Sequence, residues 1–185
     1  WVCAGQSSME MPLQGFYECP VEGYQDAIAD AGRIRGMRYV KIPAVMSATP
    51  KDDAVCHWEV MNANTANYCS AVGYFFGRRL HEMIDVPIGL ILANKGGTMV
   101  ESWLNEDNLK RYTNETVDSA EIAKRYPTDW LRPLLWGNGT FHPILNYSIR
   151  GIIYYQGCSN VDHNPNTYAE RLSRLISQWR SDFKV

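Results

Sequence analysis

Four short, largely apolar runs punctuate the chain, at residues 1–4, 38–42, 87–93 and 151–155. Apolar side chains on successive positions fit strands covered on both faces, as in a parallel sheet. Between these runs the period changes. Tyr68, Val72, Phe75, Phe76 and Met83 recur at helical spacing, and that pattern stops near Asp85 and Pro87. Towards the end of the chain Tyr168, Leu172, Leu175, Ile176 and Trp179 form one stripe, with arginine and glutamate opposite. Pro165-Asn166-Thr167 gives that helix its start signal, either polar side chain being able to cap the orphan N–H groups. The alternation predicts an α/β layer fold with a mostly parallel sheet. Two irregular stretches interrupt it: residues 12–24, with proline, glycine and aromatics, and residues 105–143, polar and aromatic around one expected helix at 117–125. Excursions of this kind, leaving from strand ends, are where binding surfaces tend to lie.

Three of the apolar runs end in a glycine-bearing polar turn. Residues 1–4 lead into Gly5-Gln6-Ser7-Ser8-Met9-Glu10, residues 87–93 into Lys95-Gly96-Gly97-Thr98, and residues 151–155 into Gln156-Gly157-Cys158-Ser159-Asn160. One Gly-x-Ser turn is commonplace. Three such turns, carrying a serine, a double glycine and an amide pair, suggest a site assembled at the carboxyl edge of a sheet, where open α/β folds hold their ligands. Ser7 is the candidate nucleophile, and backbone N–H groups of the turns are candidates to hold a developing oxyanion.

These segments resemble the sialate O-acetylesterase branch of the SGNH hydrolases, serine esterases that remove acetyl groups from sugars. The branch pattern Gly-Gln-Ser-Asn-Met, Gly-Gly-Thr and Tyr-Gln-Gly-Glu-Ser-Asn is matched here by Gly5 to Met9, Gly96 to Thr98 and Tyr155 to Asn160. The likeness extends to residues 70–77 and to 175–180, so it runs nearly end to end and in order. Ser8 stands where asparagine is usual, and Cys158 where glutamate is usual. The resemblance implies a three-layer α/β/α, flavodoxin-like domain. It also implies an acetyl-enzyme route through Ser7, with the oxyanion held by the Ser7 and Gly97 N–H groups and the Gln156 or Asn160 amide. No metal or organic cofactor is required. The partner is an O-acetylated sugar or glycan, and the setting secreted or periplasmic.

The family's Asp-x-x-His segment, which supplies the catalytic base, does not occur in these 185 residues. The chain is therefore expected to be a piece of a longer domain, incomplete at both ends, with the Asp and His contributed from beyond Val185. Of the four histidines, His81 is expected on a helix surface and His57 in a structural role, while His142 lines a site mouth or caps a turn. His163 follows the third turn directly. It is a candidate base, but it is placed rather at the substrate rim or in a structural role, because the adjacent Asp162 cannot readily reach the far ring nitrogen. Glu10 and Glu101 each follow a site turn and either bind sugar hydroxyls or support a loop. Trp130, Trp136 and Phe141 are candidates to stack on a sugar ring, against a packing role that is the stronger expectation.

Composition narrows the alternatives. Net charge is −2 without a basic run, which gives a nucleic-acid groove or an anionic membrane surface little support. No apolar stretch approaches the roughly 20 residues needed to cross a bilayer. The five cysteines lack Cys-x-x-Cys spacing, which disfavours a zinc site. Cys3 and Cys69 read as buried thiols; Cys19 and Cys56 are able to pair. Sequons at Asn114, Asn138 and Asn146 are short enough to occur by chance. Two other readings stand beside the esterase. One is a non-catalytic carbohydrate-binding or scaffold domain, motivated by the absent base and the two departures; the other is a lipase or thioesterase on the same fold.

Overall fold

A computed structural model describes residues 1–184. Strands β1 (Val2–Gly5), β2 (Met37–Lys41), β4 (Ile88–Asn94) and β5 (Ile152–Tyr155) form where the apolar runs predict them. With a fifth strand, β3 (Trp58–Val60), the sheet order is β3-β2-β4-β1-β5. Every pairing among the four predicted strands is parallel. The sheet is nonetheless mixed, because β3 pairs antiparallel with β2 at one edge. Trp58 and Val60 flank Glu59 and are both exposed, and a run of three residues is too short to signal a strand in the sequence.

Alternation along each strand divides the core in two. Val2, Ala4, Val40, Ile91 and Ala93 face one cluster, shared with Trp103, Phe141, Leu175 and Trp179. Cys3, Met37, Tyr39, Leu90 and Leu92 face the other, shared with helices α2 (Tyr24–Ala31) and α3 (Ala71–Ile84). The opposite cover comes from α6 (Tyr168–Phe183) and the excursion at 105–143. Three layers result, as expected. The excursion holds more than its one expected helix: α4 (Glu106–Leu109) precedes α5 (Ser119–Arg125), and short tight helical turns follow. Asp118 starts α5 by accepting the Glu121 N–H at 2.9 Å.

Both long helices form, but the face each turns inward coincides only in part with the predicted apolar stripe: Val72 and Phe76 of α3 and Tyr168 and Leu172 of α6 pack against the core partly buried. In α3 the buried residues are Ala71, Gly73, Tyr74 and Gly77, while Phe75 and Met83 point outward. The helix backbone lies too close to the sheet for a large stripe: a Cβ on Gly77 would sit 2.6 Å from Met37 Cε, and one on Gly73 3.1 Å from Cys3 Sγ. In α6, Leu175 and Trp179 are buried as expected, but Arg171 and Gln178 are buried with them and Ile176 is 40% exposed. No side chain caps α6. Thr167 Oγ1 instead accepts from Arg171 Nε at 3.0 Å.

All five cysteines are free, with Cys3 and Cys69 buried and Cys19, Cys56 and Cys158 exposed, so the possible Cys19–Cys56 bridge is not made. Burial pushes the Cys3 thiol up to about 12 and raises that of Cys69 as well. Alkylation of the native protein is therefore expected to modify Cys19 and Cys158 while sparing Cys3 and Cys69 until denaturant is added; early labelling of Cys3 would contradict this packing. Gly5 is a second point of test. Its φ is +137°, and a Cβ there would lie 2.1 Å from the Tyr155 carbonyl oxygen. Gly5→Ala should lower unfolding stability by about 2 kcal/mol or more, and an unchanged urea midpoint would rule out this close approach.

Candidate active site

Parallel pairing fixes where the three polar turns leave the sheet. Gly5 is in register with Asn94 on one side and with Tyr155 on the other, so β4, β1 and β5 end at one level. Beyond β1 the chain turns into a single helical turn, α1 (Ser7–Glu10), with Ser7 at its first position. Beyond β4 come Gly96 and Gly97, the latter at φ +78°. A Cβ on Gly96 would lie 3.6 Å from Ser7 Cβ, which places the double-glycine turn directly against the serine. The Ser7 N–H, at a helix start, has no intrahelical partner. Neither it nor the Gly97 N–H has an acceptor among the described residues. Two backbone N–H groups without an acceptor and a hydroxyl thus lie on two adjoining strand-end turns.

The turns are held by side chains whose orientation is forced. Glu10 Oε2 accepts the Gly96 N–H at 2.6 Å, so the loop-supporting alternative for Glu10 is the contact seen. Asn160, 2% exposed, accepts the Val100 N–H on Oδ1 at 2.9 Å and donates from Nδ2 to Glu101 Oε2 at 2.9 Å and to the His163 carbonyl at 3.0 Å. A backbone N–H can only donate and a carboxylate only accept, so the amide cannot be reversed. Gln156 Nε2 then donates to Asn160 Oδ1 at 2.8 Å and to the Thr98 carbonyl at 3.0 Å. Both hydrogens of each amide are spent. Gln156 and Asn160 therefore grip the loop after Gly97 instead of pointing free donors at Ser7, which departs from their expected role in the oxyanion hole. The Tyr168 hydroxyl lies 3.1 Å from Gln156 Oε1. Burial, reinforced by Glu101, raises its pKa and keeps it a donor.

Beneath this lies a buried ionic cluster. Arg171 Nη1 contacts Glu101 Oε1 at 2.8 Å and Glu115 Oε1 at 2.6 Å, with all three side chains at most 1% exposed. Its other nitrogens reach Thr167 Oγ1 and Asn114 Oδ1, and its guanidinium stacks 4.1 Å from the Tyr112 ring centroid. Glu101 is thus a structural anion, closed to any sugar hydroxyl. Of the two alternatives for Glu101, support of a loop is the contact seen; its partner Arg171 was missed because an arginine on a helix reads as solvent-facing. Sequence reasoning also gave no role to Gln6, whose buried Oε1 accepts the Gly157 N–H at 3.0 Å and the Ser159 N–H at 3.4 Å, tying the first turn to the third. The Gln6 position inside the first motif was the available signal.

The remaining candidates separate. His57 pairs with Glu59, His81 Nδ1 with the Val86 carbonyl, and His142 Nδ1 with the Lys51 carbonyl. His163 is half-buried beside the third turn and is tied to it through its backbone. None of the four rings is hydrogen-bonded to Ser7 among the described residues. Trp136 is 6% and Phe141 3% exposed, both in the core, and Trp136 Nε1 donates to the Asp129 carbonyl at 3.1 Å. Neither offers a face to a sugar, so Trp136 is a packing residue and not a contact for substrate. Trp130, 50% exposed, lies against Gly97. Among the described residues there is no group of three or more His, Cys, Asp or Glu that could hold a metal ion, and no helix is long and apolar enough to cross a membrane.

Comparison with known proteins gives this geometry a context. The model of a family described as carbohydrate esterase, sialic acid-specific acetylesterase matches residues 1–185. The sialate O-acetylesterase of Homo sapiens is 27% identical over 196 residues, and that of Mus musculus 27% over 216. Each alignment takes in 99% of this chain but only 35% and 39% of the relative, so the chain spans little more than a third of their length. A carbohydrate acetylesterase from Xanthomonas citri superposes with a TM-score of 0.84 at 28% identity, covering 100% of this chain and 38% of that one. A protein from Arabidopsis thaliana shares the fold at a TM-score of 0.51 and 16% identity.

The ionic cluster yields a contrast. Arg171→Met leaves two buried carboxylates without their cation and should cost about 3–5 kcal/mol, whereas Arg174→Ala, which breaks an exposed pair with Glu170, should cost about 1 kcal/mol or less. Denaturant melts of both variants decide it. Equal losses would mean that the Arg171 cluster is not the anchor described.

Proposed function

The chain belongs to the carbohydrate esterase family of sialic acid-specific acetylesterases, and from that premise we propose that Ser7 is the nucleophile of a hydrolase acting on O-acetyl esters of sialic acid or related sugars. The observation that carries the reading is the register of β4, β1 and β5, which sets Ser7 against Gly96 with unpaired N–H groups on both turns. Ser7 Oγ attacks the acetyl carbonyl as a base takes its proton, and the carbonyl oxygen becomes an oxyanion held by the Ser7 and Gly97 N–H groups. Collapse of the tetrahedral adduct breaks the ester C–O bond. The sugar leaves as its alcohol, protonated by the conjugate acid of the base, and an acetyl-enzyme remains. Water, deprotonated by the same base, then releases acetate and restores Ser7.

In this proposal Gln156 and Asn160 are positioning residues. They fix the Thr98 carbonyl and the Val100 N–H, and through them the direction of the Gly97 N–H. The base is an Asp–His pair contributed from outside these 185 residues, a reading supported by the engagement of His57, His81 and His142 elsewhere. A secreted or periplasmic setting fits a glycan substrate.

The test is acetate release from O-acetylated sialic acid by the full-length polypeptide and two variants. Ser7→Ala should lose on the order of a million-fold in kcat. Gly97→Ala places a Cβ 2.2 Å from Trp130 Cδ1 at a positive φ, displacing one donor. It should lose about 100- to 1,000-fold in kcat with KM little changed. Turnover that survives Ser7→Ala would remove the serine mechanism.

A further inference from the structure

Trp130 is the one aromatic of the excursion's three sugar-stacking candidates that stays open: 50% exposed, against 6% for Trp136 and 3% for Phe141. It is also the one that touches the site. A Cβ on Gly97 would meet Trp130 Cδ1 at 2.2 Å, Cγ at 2.6 Å and Nε1 at 2.9 Å, so the pyrrole part of the indole packs against Gly97. The Gly97 α-carbon is one bond from the N–H assigned to the oxyanion.

An exposed indole on a loose loop would be unremarked, but this loop is fixed. Arg132 Nη2 pairs with Asp129 Oδ1 at 2.7 Å, and Arg132 Nε donates to the Tyr126 carbonyl at 3.1 Å. Trp136 Nε1 donates to the Asp129 carbonyl at 3.1 Å, and the Leu131 N–H to the Thr128 carbonyl at 3.1 Å. The residues on both sides of Trp130 are thus held, and the backbone that carries the ring needs no reordering when a partner settles on it.

We propose that Trp130 is the platform on which the sugar ring of the substrate stacks while its acetyl ester sits at Ser7, an inference that rests on the esterase reading above. Of the two substituents on the ester carbonyl, the acetyl methyl is a single carbon, and selecting for it requires an enclosed wall. A half-open ring cannot measure chain length. It offers a flat apolar face of about the size of a pyranose, whose C–H bonds are attracted to the negative face of the indole. The alcohol side is therefore the side that Trp130 reads.

The experiment compares Trp130→Ala and Trp130→Phe with wild type in the full-length polypeptide, on an O-acetylated sugar, on ethyl acetate, and on aryl acetate against aryl butyrate. Trp130→Ala should lower kcat/KM on the sugar ester about tenfold, mainly through KM, with ethyl acetate changed by no more than about twofold and most of the loss restored in Trp130→Phe. Equal losses on sugar ester and ethyl acetate would overturn the proposal, since they would mean that Trp130 only packs the Gly97 loop. A rise in the butyrate-to-acetate ratio with unchanged sugar kinetics would also overturn it, by making Trp130 an acyl wall. Should wild type and Ser7→Ala both prove inert, the esterase reading fails separately. Calorimetric binding of the O-acetylated sugar to Ser7→Ala and to Ser7→Ala/Trp130→Ala then decides the platform: binding lost with the indole supports it, and equal or absent binding overturns it.

Discussion

The carboxylate of Glu101 has no access to water, and the carboxyl edge of the sheet is organised around satisfying it. Arg171 reaches it from α6 and Asn160 from the turn after β5, 70 and 59 residues away from it in sequence. An unpaired buried charge costs several kcal/mol, so the three must come together or the site does not form. Once Asn160 is held by Glu101, its amide has one orientation. That orientation makes Gln156 a donor to Asn160 and to Thr98, and Thr98 follows Gly97 in the chain. The buried ion pair is thereby linked to the residue after Gly97 through three successive hydrogen bonds.

The same edge shows how rigid parts and open parts are divided. Side chains that a reader of the sequence would offer to a substrate (Glu10, Glu101, Gln156, Asn160, Trp136) are engaged within the protein. What is left facing outward at the corner is small: the Ser7 side chain, two N–H groups and the face of Trp130. A reaction whose transition state gathers charge on one oxygen needs little more from the scaffold than preorganised donors. The surrounding polar groups serve by not moving.

Much of the fold was legible in the sequence because it rests on patterns of short range. The four parallel strands follow from consecutive apolar positions, and the strand-end turns from glycine and polar residues placed directly after them. The faces of the helices were legible only in part. In α3 the approach of the backbone to the sheet selects glycine for the inside, so Phe75 and Met83 are displaced to the surface. In α6 an arginine is buried because Glu101, after the turn that follows β4, and Glu115 of the excursion meet it there, which no local period can signal. The edge strand β3 failed for the opposite reason: its pairing with β2 is made by backbone groups, and its run of three residues is too short to signal a strand. For the site itself, motif spacing pointed to Ser7 and the double glycine, whereas the roles of Gln6, Gln156 and Asn160 depend on partners more than 50 residues away in the chain.

The central claim is that Ser7 carries the acyl group at this corner. The most direct measurement is to quench the full-length protein with acid during turnover of an aryl acetate and to map the acetylated peptide by mass spectrometry. The account predicts an acetyl group on Ser7, absent from Ser7→Ala. Acetyl found on another residue, or steady turnover with Ser7 never acetylated, would contradict it.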